Sequence, residues 1–361
     1  MSEIIIILGA GASTEAGAPT MSDFLDKADE LRREGKADDF KDDFDKVFEA
    51  ISLLQPVHSK AKLDLDNIES IFAAFEMGRL IGKLGDKSKE EIEALLISIK
   101  ILICKTLEMT IKYPVRDREV IWPNESYNSL VRLIYKINKE GRENRCTILT
   151  FNYDLALDYA CHFNRYPIDY CIESETKENK IPIMKLHGSV NWLMCNKCSK
   201  IVPWYFDDFF KKFSFDRISL RESPRVNIDV FSKFPMSDLK CCDTNFSTFI
   251  PFIVPPTWNK TEHYHAINSV WSHAAQELSD AENIFISGYS LTETDSFFRY
   301  LFALGSVGMS KIKRFWVYDP DDSGLVEKRF KDLIGFGIEK RFRFEKKHFS
   351  KLVNELSNEL K

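Results

Sequence analysis

The chain has 361 residues, 44% hydrophobic and 29% charged, an ordinary globular balance that excludes a chain disordered throughout. At a soft prior of roughly 150 residues per domain, the length fits two domains, or one large domain carrying an insertion. Fifty basic against fifty-five acidic side chains leave a net charge of −5, which argues against nucleic-acid binding through bulk positive charge.

Ser2 and Glu3 precede the apolar run Ile4–Leu8 where a secretory signal would carry basic residues, so no export signal is expected. The nearest candidate for a membrane span, Ala94 to Ile111, is broken by Lys100, Lys105 and Glu108 and falls short of the roughly 20 residues a bilayer requires. These points predict a cytoplasmic protein without membrane contact. In that reducing compartment the eight cysteines would be free thiols or metal ligands rather than disulfides.

Ile4-Ile5-Ile6-Ile7-Leu8 is short, apolar and β-branched, as a strand buried on both faces of a parallel sheet must be. Gly9-Ala10-Gly11-Ala12-Ser13-Thr14-Glu15-Ala16-Gly17-Ala18-Pro19 follows directly. Small residues at a strand-to-helix turn let backbone approach a ligand, and a helix N-terminus offers N–H groups to a phosphate. Thr14 stands where a dehydrogenase fingerprint has its third glycine, and no acidic residue ends a second strand about 20 residues on. The loop therefore points to a nucleotide diphosphate outside nicotinamide oxidoreductase chemistry.

Three- and four-residue apolar spacing predicts helices over Ser22–Arg33, Asp38–Leu54, Asn67–Lys83 and Lys89–Lys112, then Tyr127–Lys139. Apolar strands follow at Thr147–Thr150, Ile183–Leu186, Phe249–Val254, Asn283–Ile286, Arg314–Tyr318 and Phe342–Phe344. They alternate with helices at Tyr153–Phe163, Tyr264–Leu278, Asp295–Leu304, Ser323–Leu333 and Phe349–Leu360. The expected fold is α/β, a Rossmann-like doubly wound parallel sheet of about six strands with a large helical insertion and a small cysteine-containing module. Residues 1–24 and 114–361 would form the core, 25–113 the insertion, and 192–246 the module within the core.

Ligands on such sheets sit at the carboxyl ends of the strands, where this chain concentrates its chemistry. The ends are Gly9–Ser13, Thr150-Phe151-Asn152-Tyr153-Asp154, Leu186-His187-Gly188-Ser189, Ser287-Gly288-Tyr289-Ser290-Leu291 and Asp319-Pro320-Asp321. Each has a plain explanation alone: Asn152 or Asp154 caps a helix, and His187 before a glycine is a turn histidine. Together on one sheet edge they point to a site.

These residues resemble the sirtuin-like NAD-consuming family. Gly9-Ala10-Gly11-Ala12-Ser13 with Ala16-Gly17-Ala18-Pro19 resembles its G-A-G-x-S…G-x-P loop. Thr150–Asp154 resembles its T-x-N-x-D segment, Leu186–Ser189 its L-H-G-S, and Gly288–Leu291 the G-x-S-L turn that holds part of the dinucleotide. Protein-deacylating members usually carry Asp-Phe-Arg after the loop and Gln before the Asn, where this chain has Thr20-Met21-Ser22 and Phe151. The insertion and Leu65-Asp66-Asn67-Ile68-Glu69-Ser70-Ile71-Phe72 look instead like bacterial sirtuin-like domains of antiphage defence, which hydrolyse NAD+ to ADP-ribose and nicotinamide.

The resemblance implies NAD+ as substrate, with Gly9, Ala10, Gly11, Ser13, Gly17, Thr150, Gly288, Ser290 and Asp319 as its binding residues. Cleavage develops oxocarbenium character at the anomeric carbon, so a site must orient water and stabilise charge. Asn152 suits water positioning, and His187 suits taking a proton from that water or a ribose hydroxyl. Asp154 is the candidate partner of the nicotinamide amide. Uncontrolled hydrolysis would kill a cell, so a homo-oligomer or a separate subunit is expected to regulate it, and the resemblance adds a ring-forming translocase ATPase as one such partner. Two alternatives remain open: a protein deacylase, and an NAD or ADP-ribose sensor without turnover.

Cys195-x-x-Cys198 has knuckle spacing, while Cys241 and Cys242 are adjacent. Four thiolates would close a tetrahedral structural zinc site, as sirtuins often do in this region, but adjacency strains simultaneous ligation. Zinc and free cysteines are both left open. Cys104, Cys146 and Cys161 sit in apolar segments and are expected in the core; the aromatics Trp204, Tyr205, Phe206, Phe209 and Phe210 of the Pro203–Lys240 segment, expected as an irregular flap, read as core or oligomer contact rather than a base-stacking surface.

Overall fold

The computed structural model describes residues 2–55, 63–116, 120–140, 144–173, 179–212, 225–230, 239–242, 244–246, 250–255, 261–292, 296–305 and 311–359. Seven parallel strands form one sheet: β1 (Ser2–Leu8), β2 (Asn144–Thr150), β3 (Ile168–Asp169), β4 (Ile181–Lys185), β5 (Ala281–Ser287), β6 (Arg314–Tyr318) and β7 (Phe342–Glu345). Their spatial order is β7-β6-β5-β1-β2-β4-β3. The chain thus lays β2, β3 and β4 on one side of β1, with β4 between β2 and β3, then crosses back and builds outward on the other side. The reversal falls between β1 and β5, the topological switch point of a doubly wound sheet.

Ile4 to Ile7 of β1 are all buried, as a central strand covered on both faces requires. The register then lines up the strand ends. Lys185 pairs with Thr150, Thr150 with Leu8, Leu8 with Ser287, Ser287 with Tyr318, and Tyr318 with Glu345. One straight row of carboxyl-terminal residues therefore crosses six strands, and every loop singled out in the sequence leaves from it.

Between β1 and β2 the chain forms α1 (Phe24–Arg33), α2 (Lys41–Leu54), α3 (Ile68–Ile81) and α4 (Lys89–Thr110). The long α4 packs against each of the other three. It starts in a capping box, with Glu91 N–H donating to Ser88 Oγ and Ser88 N–H to Glu91 Oε2. Asn67 caps α3 by accepting from Glu69 and Ser70. Then come α5 (Glu125–Glu140), α6 (Ala156–Phe163), α7 (Phe206–Lys212), α8 (Thr261–Asp280), α9 (Ser296–Gly305), α10 (Leu325–Leu333) and α11 (Phe349–Glu359). Helix α5 packs on β2, α6 and α11, while α8 packs on β1, β4 and α9. Among the described residues no helix is long and apolar enough to cross a membrane.

The doubly wound parallel sheet is as expected, with seven strands. The structure corrects three details, and the first is that the run Phe249–Val254 is not a strand of this sheet. Phe252–Ile253 pairs antiparallel with Gly188–Ser189 away from the sheet, and residues 247–249 lie outside the described residues. Pro251 removes a donor beside it, and Gly188, at φ +81°, turns its backbone toward this partner. The edge of the sheet is instead β3, a two-residue strand. The helix expected from Tyr153 begins at Ala156, because Asp154 Oδ1 accepts the Ala156 N–H. In the Pro203–Lys240 segment, α7 and the strand Arg225–Val226 are ordered elements; residues 213–224 and 231–238 lie outside the described residues. Trp204, Phe206 and Phe209 are buried core, as expected.

Candidate active site

The loops that leave this row of strand ends line a cavity of about 550 Å³. The loop after β1 contributes Gly9–Gly11, Ser13 and Thr14; the loop after β2 contributes Phe151–Asp154. On the other side of the switch point stand Gly288–Ser290 and Thr292 after β5, Asp319 and Pro320 after β6, and His348 after β7. Met21 and Phe24, just before the helical insertion, and Asn67, Glu69 and Leu107 within it supply a further wall. From β2 to β6 is three strand spacings, about 14 Å, long enough for an extended dinucleotide.

The glycines act mainly on each other. Gly11 N–H donates to Gly288 O at 2.9 Å and Gly9 N–H to Ser287 O at 3.1 Å. A Cβ on Gly9 would lie 2.4 Å from Gly288 O, and one on Gly288 2.2 Å from Ala12 N. The first loop and the β5 loop thus meet backbone to backbone, with Gly288 at φ +62°. The small residues that suggest ligand approach are required first by this contact between two loops. Gly17, at φ +99°, faces the Thr110 carbonyl at the end of α4, and Thr150 Oγ1 donates to Leu8 O. Neither lines the cavity; both brace its rim.

Ser13 is the hub of the β2 side. Its hydroxyl donates to Asp154 Oδ2 at 2.7 Å, accepts from Asn152 Nδ2 at 3.0 Å, and lies 2.7 Å from the Tyr127 hydroxyl. Both Asp154 oxygens are engaged, one by Ser13 and one by the Ala156 N–H. Burial pushes the Asp154 carboxyl above its usual range, against the pull of Ser13, Ala156 and Lys185. Asn152 lines the cavity with its amide nitrogen spent on Ser13, and its Oδ1 finds no protein partner among the described residues.

Beneath this loop lies an ionic network. Lys185, 1% exposed, places its ammonium 2.8 Å from Asp154 O, 2.9 Å from Ser189 Oγ and 2.8 Å from Asp158 Oδ2. Asp158 also accepts from the Tyr170 hydroxyl, which accepts from Asn191 Nδ2 at 2.8 Å. One lysine therefore ties the loop after β2 to the loop after β4 that carries His187.

His187 itself does not line the cavity. It is 1% exposed, with its ring edge-on to Phe151 at 5.1 Å and tilted to Tyr153 at 6.3 Å. Phe151 and Tyr153, which do line the cavity, lie against it. Phe151 also stacks on Tyr289 at 4.1 Å. On the far side, burial raises the Asp319 carboxyl, while its Oδ1 accepts the Asp321 N–H at 3.0 Å. Ser290 holds its place through its carbonyl, which accepts from Arg329 at 3.2 Å.

Sequence reasoning gave no role to Tyr127, Glu69, Tyr289 and His348. Glu69 and Tyr289 lie inside motifs quoted for other residues, and His348 lies three residues after β7; Tyr127 gives no such signal.

The four cysteines converge. Sγ atoms of Cys195, Cys198, Cys241 and Cys242 lie within 4.8 Å of one another, with Cys198–Cys241 at 3.5 Å and Cys241–Cys242 at 4.0 Å. Tetrahedral zinc with Zn–S of about 2.3 Å sets its sulfurs about 3.8 Å apart, so this donor set fits zinc. Adjacency does not prevent ligation, because Cys242 takes a left-handed backbone at φ +51°.

No protein-family model matches the chain, and no curated protein matches it. Among solved structures it is similar to a Sir2 homologue in complex with NAD, at 12% identity over 99% of this chain and 91% of that one, TM-score 0.45. It is similar to a triple-mutant Sir2 homologue bound to 2′-O-acetyl ADP ribose, at 13% identity over 99% and 93%, TM-score 0.41. A further Sir2 homologue mutant, bound to ADP ribose, gives 14% identity over 99% and 93%, TM-score 0.39. The fold class rests on the seven-stranded sheet itself.

Proposed function

We propose that this chain hydrolyses NAD+ to nicotinamide and ADP-ribose. The observation that carries the reading is Asn152, a residue of the cavity wall held by Ser13 through its nitrogen, whose buried Oδ1 has no partner among the described residues. A fixed carbonyl oxygen can accept a hydrogen bond from water and aim the water's lone pair at an anomeric carbon. Water oxygen then bonds to that carbon, the nicotinamide–ribose bond breaks, and its electron pair leaves with neutral nicotinamide. Water gives up a proton to His187 or through a ribose hydroxyl.

Asp154 acts in this reading by holding Ser13, and the β5–β6 side with Ser290 and Asp319 takes the adenosine end. Among the described cavity residues there is no lysine or arginine, so hydroxyls such as Ser290 and Thr292 and backbone N–H groups would meet the pyrophosphate. Met21 and Phe24 before the insertion and Leu107 within it bound the cavity, which favours water over an acylated peptide as the second substrate. His187 lies against Phe151 and Tyr153, so the ring reaches substrate only after those aromatics shift. That favours a resting state, with activity raised by homo-oligomerisation or a partner such as a ring-forming ATPase. NAD+ depletion in antiphage defence is the physiological role that the Leu65–Phe72 resemblance supports.

The buried position of His187 equally favours a second reading, an NAD+ or ADP-ribose sensor without turnover. Incubation of purified protein with NAD+ alone, followed by chromatography of nicotinamide and ADP-ribose, separates the two. Turnover lost in Asn152→Ala supports the hydrolase; NAD+ binding without turnover in every oligomer fraction and with candidate partners supports the sensor.

A further inference from the structure

We propose that Tyr127, on α5, is a positioning residue for this site: its hydroxyl, by donating to Ser13, braces the serine that holds the Asn152 amide. The proposal rests on the hydrolase reading above.

A serine hydroxyl has one proton and two lone pairs. Ser13 Oγ has three partners, Asp154 Oδ2 at 2.7 Å, Asn152 Nδ2 at 3.0 Å and Tyr127 Oη at 2.7 Å. The Asp154 carboxylate can only accept, so it takes the Ser13 proton. The Asn152 amino group can only donate, so it fills one lone pair. Tyr127 must then donate to the other, and Ser13 is saturated. The tyrosine is 1% exposed, and burial holds its hydroxyl protonated, as a donor must be.

Without the Tyr127 hydroxyl one lone pair of Ser13 is empty, and the serine is held by Asp154 and Asn152 alone. The Asn152 side chain that rests on it is then held less firmly against the water it should position. Loss of one net hydrogen bond of about 1 kcal/mol corresponds to about fivefold in rate. Tyr127 packs its ring against Phe349 of α11 at 5.1 Å, a contact that Phe at position 127 would keep.

The test is NAD+ hydrolysis and calorimetric NAD+ binding in wild type, Tyr127→Phe, Ser13→Ala, the double variant and Phe349→Leu. Tyr127→Phe should lower kcat about fivefold with KM and Kd within about twofold, and the double variant should be no slower than Ser13→Ala. Phe349→Leu, which disturbs the ring packing but spares the hydroxyl, should keep wild-type kcat. Wild-type kcat in Tyr127→Phe overturns the proposal alone, as does a Tyr127→Phe loss that adds to Ser13→Ala or a matching loss in Phe349→Leu. A wild-type chain that turns over no NAD+ in any oligomer fraction overturns the hydrolase reading and this assignment together.

Discussion

Gly11 and Gly288 meet backbone to backbone across the switch point, with a Cβ on Gly11 destined to lie 2.7 Å from Gly288 Cα. Two loops 277 positions apart in the sequence therefore share one wall of the cavity only while both lack side chains. Gly288→Ala should cost more than the roughly 1–2 kcal/mol of a left-handed non-glycine residue, because its Cβ also meets Ala12 N at 2.2 Å. Gly324, at φ +78° with open space around its Cβ position, is the control and should cost only that backbone strain. Denaturant unfolding of both variants checks this, and equal losses would show that the loop contact yields freely.

Lys185 and Asp158 make a buried ion pair at 2.8 Å. Removing one member of such a pair strands a charge, at about 3–5 kcal/mol. Lys185→Met should therefore destabilise the fold by that order, and adding Asp158→Asn should recover a large part of it by removing the orphaned charge. Chemical denaturation of the single and double variants decides the point. A double variant as unstable as Lys185→Met would mean that the lysine's bonds to Asp154 O and Ser189 outweigh the charge pair.

Asp154 carries a pH signature. Burial raises its folded carboxyl above the ordinary 3.8, so the folded state holds the proton more tightly than the unfolded chain. Its contribution is then fully present below that ordinary value and is lost as pH rises through the raised folded value. Asp319 shifts the same way for the same reason. The Tm of wild type relative to Asp154→Asn should fall with rising pH across that window. A flat difference would mean that Ser13, Ala156 and Lys185 cancel the burial cost.

Much of the sheet is legible in the sequence because buried parallel strands must be continuous apolar runs, as Ile4–Leu8 and Asn283–Ile286 are. Two residues such as Ile168–Asp169 carry no period, and the apolar run ending at Val254 reads like a sheet strand although it is short and flanked by prolines. Residues after strands are legible as site candidates for a topological reason: the register brings their strands to one edge. Side-chain depth is not. Nothing local says that Phe151 will lie against His187, or that a helical tyrosine with core spacing, Tyr127, will set its hydroxyl on a serine 114 positions away.

The cysteine module offers a test independent of turnover. Cys241 and Cys242 are neighbours in sequence yet both reach the cluster, because the positive φ at Cys242 turns the second side chain back toward Cys195 and Cys198. Four thiolates that close would repel one another without a cation, so metal should be retained through purification and hold the ribbons Trp192–Met194, Ile201–Pro203 and Lys240–Cys241 together. We expect about one zinc per chain by atomic emission, lost in Cys198→Ser and Cys241→Ser but kept in Cys104→Ser, whose thiol is buried in α4. Chelator-treated protein should be cut by protease first between residues 192 and 246, ahead of the sheet. Freshly purified protein free of zinc, with an unchanged cleavage pattern after chelation, would leave the four as plain thiols and transfer the stability of the module to Trp192, Trp204 and the buried aromatics around them.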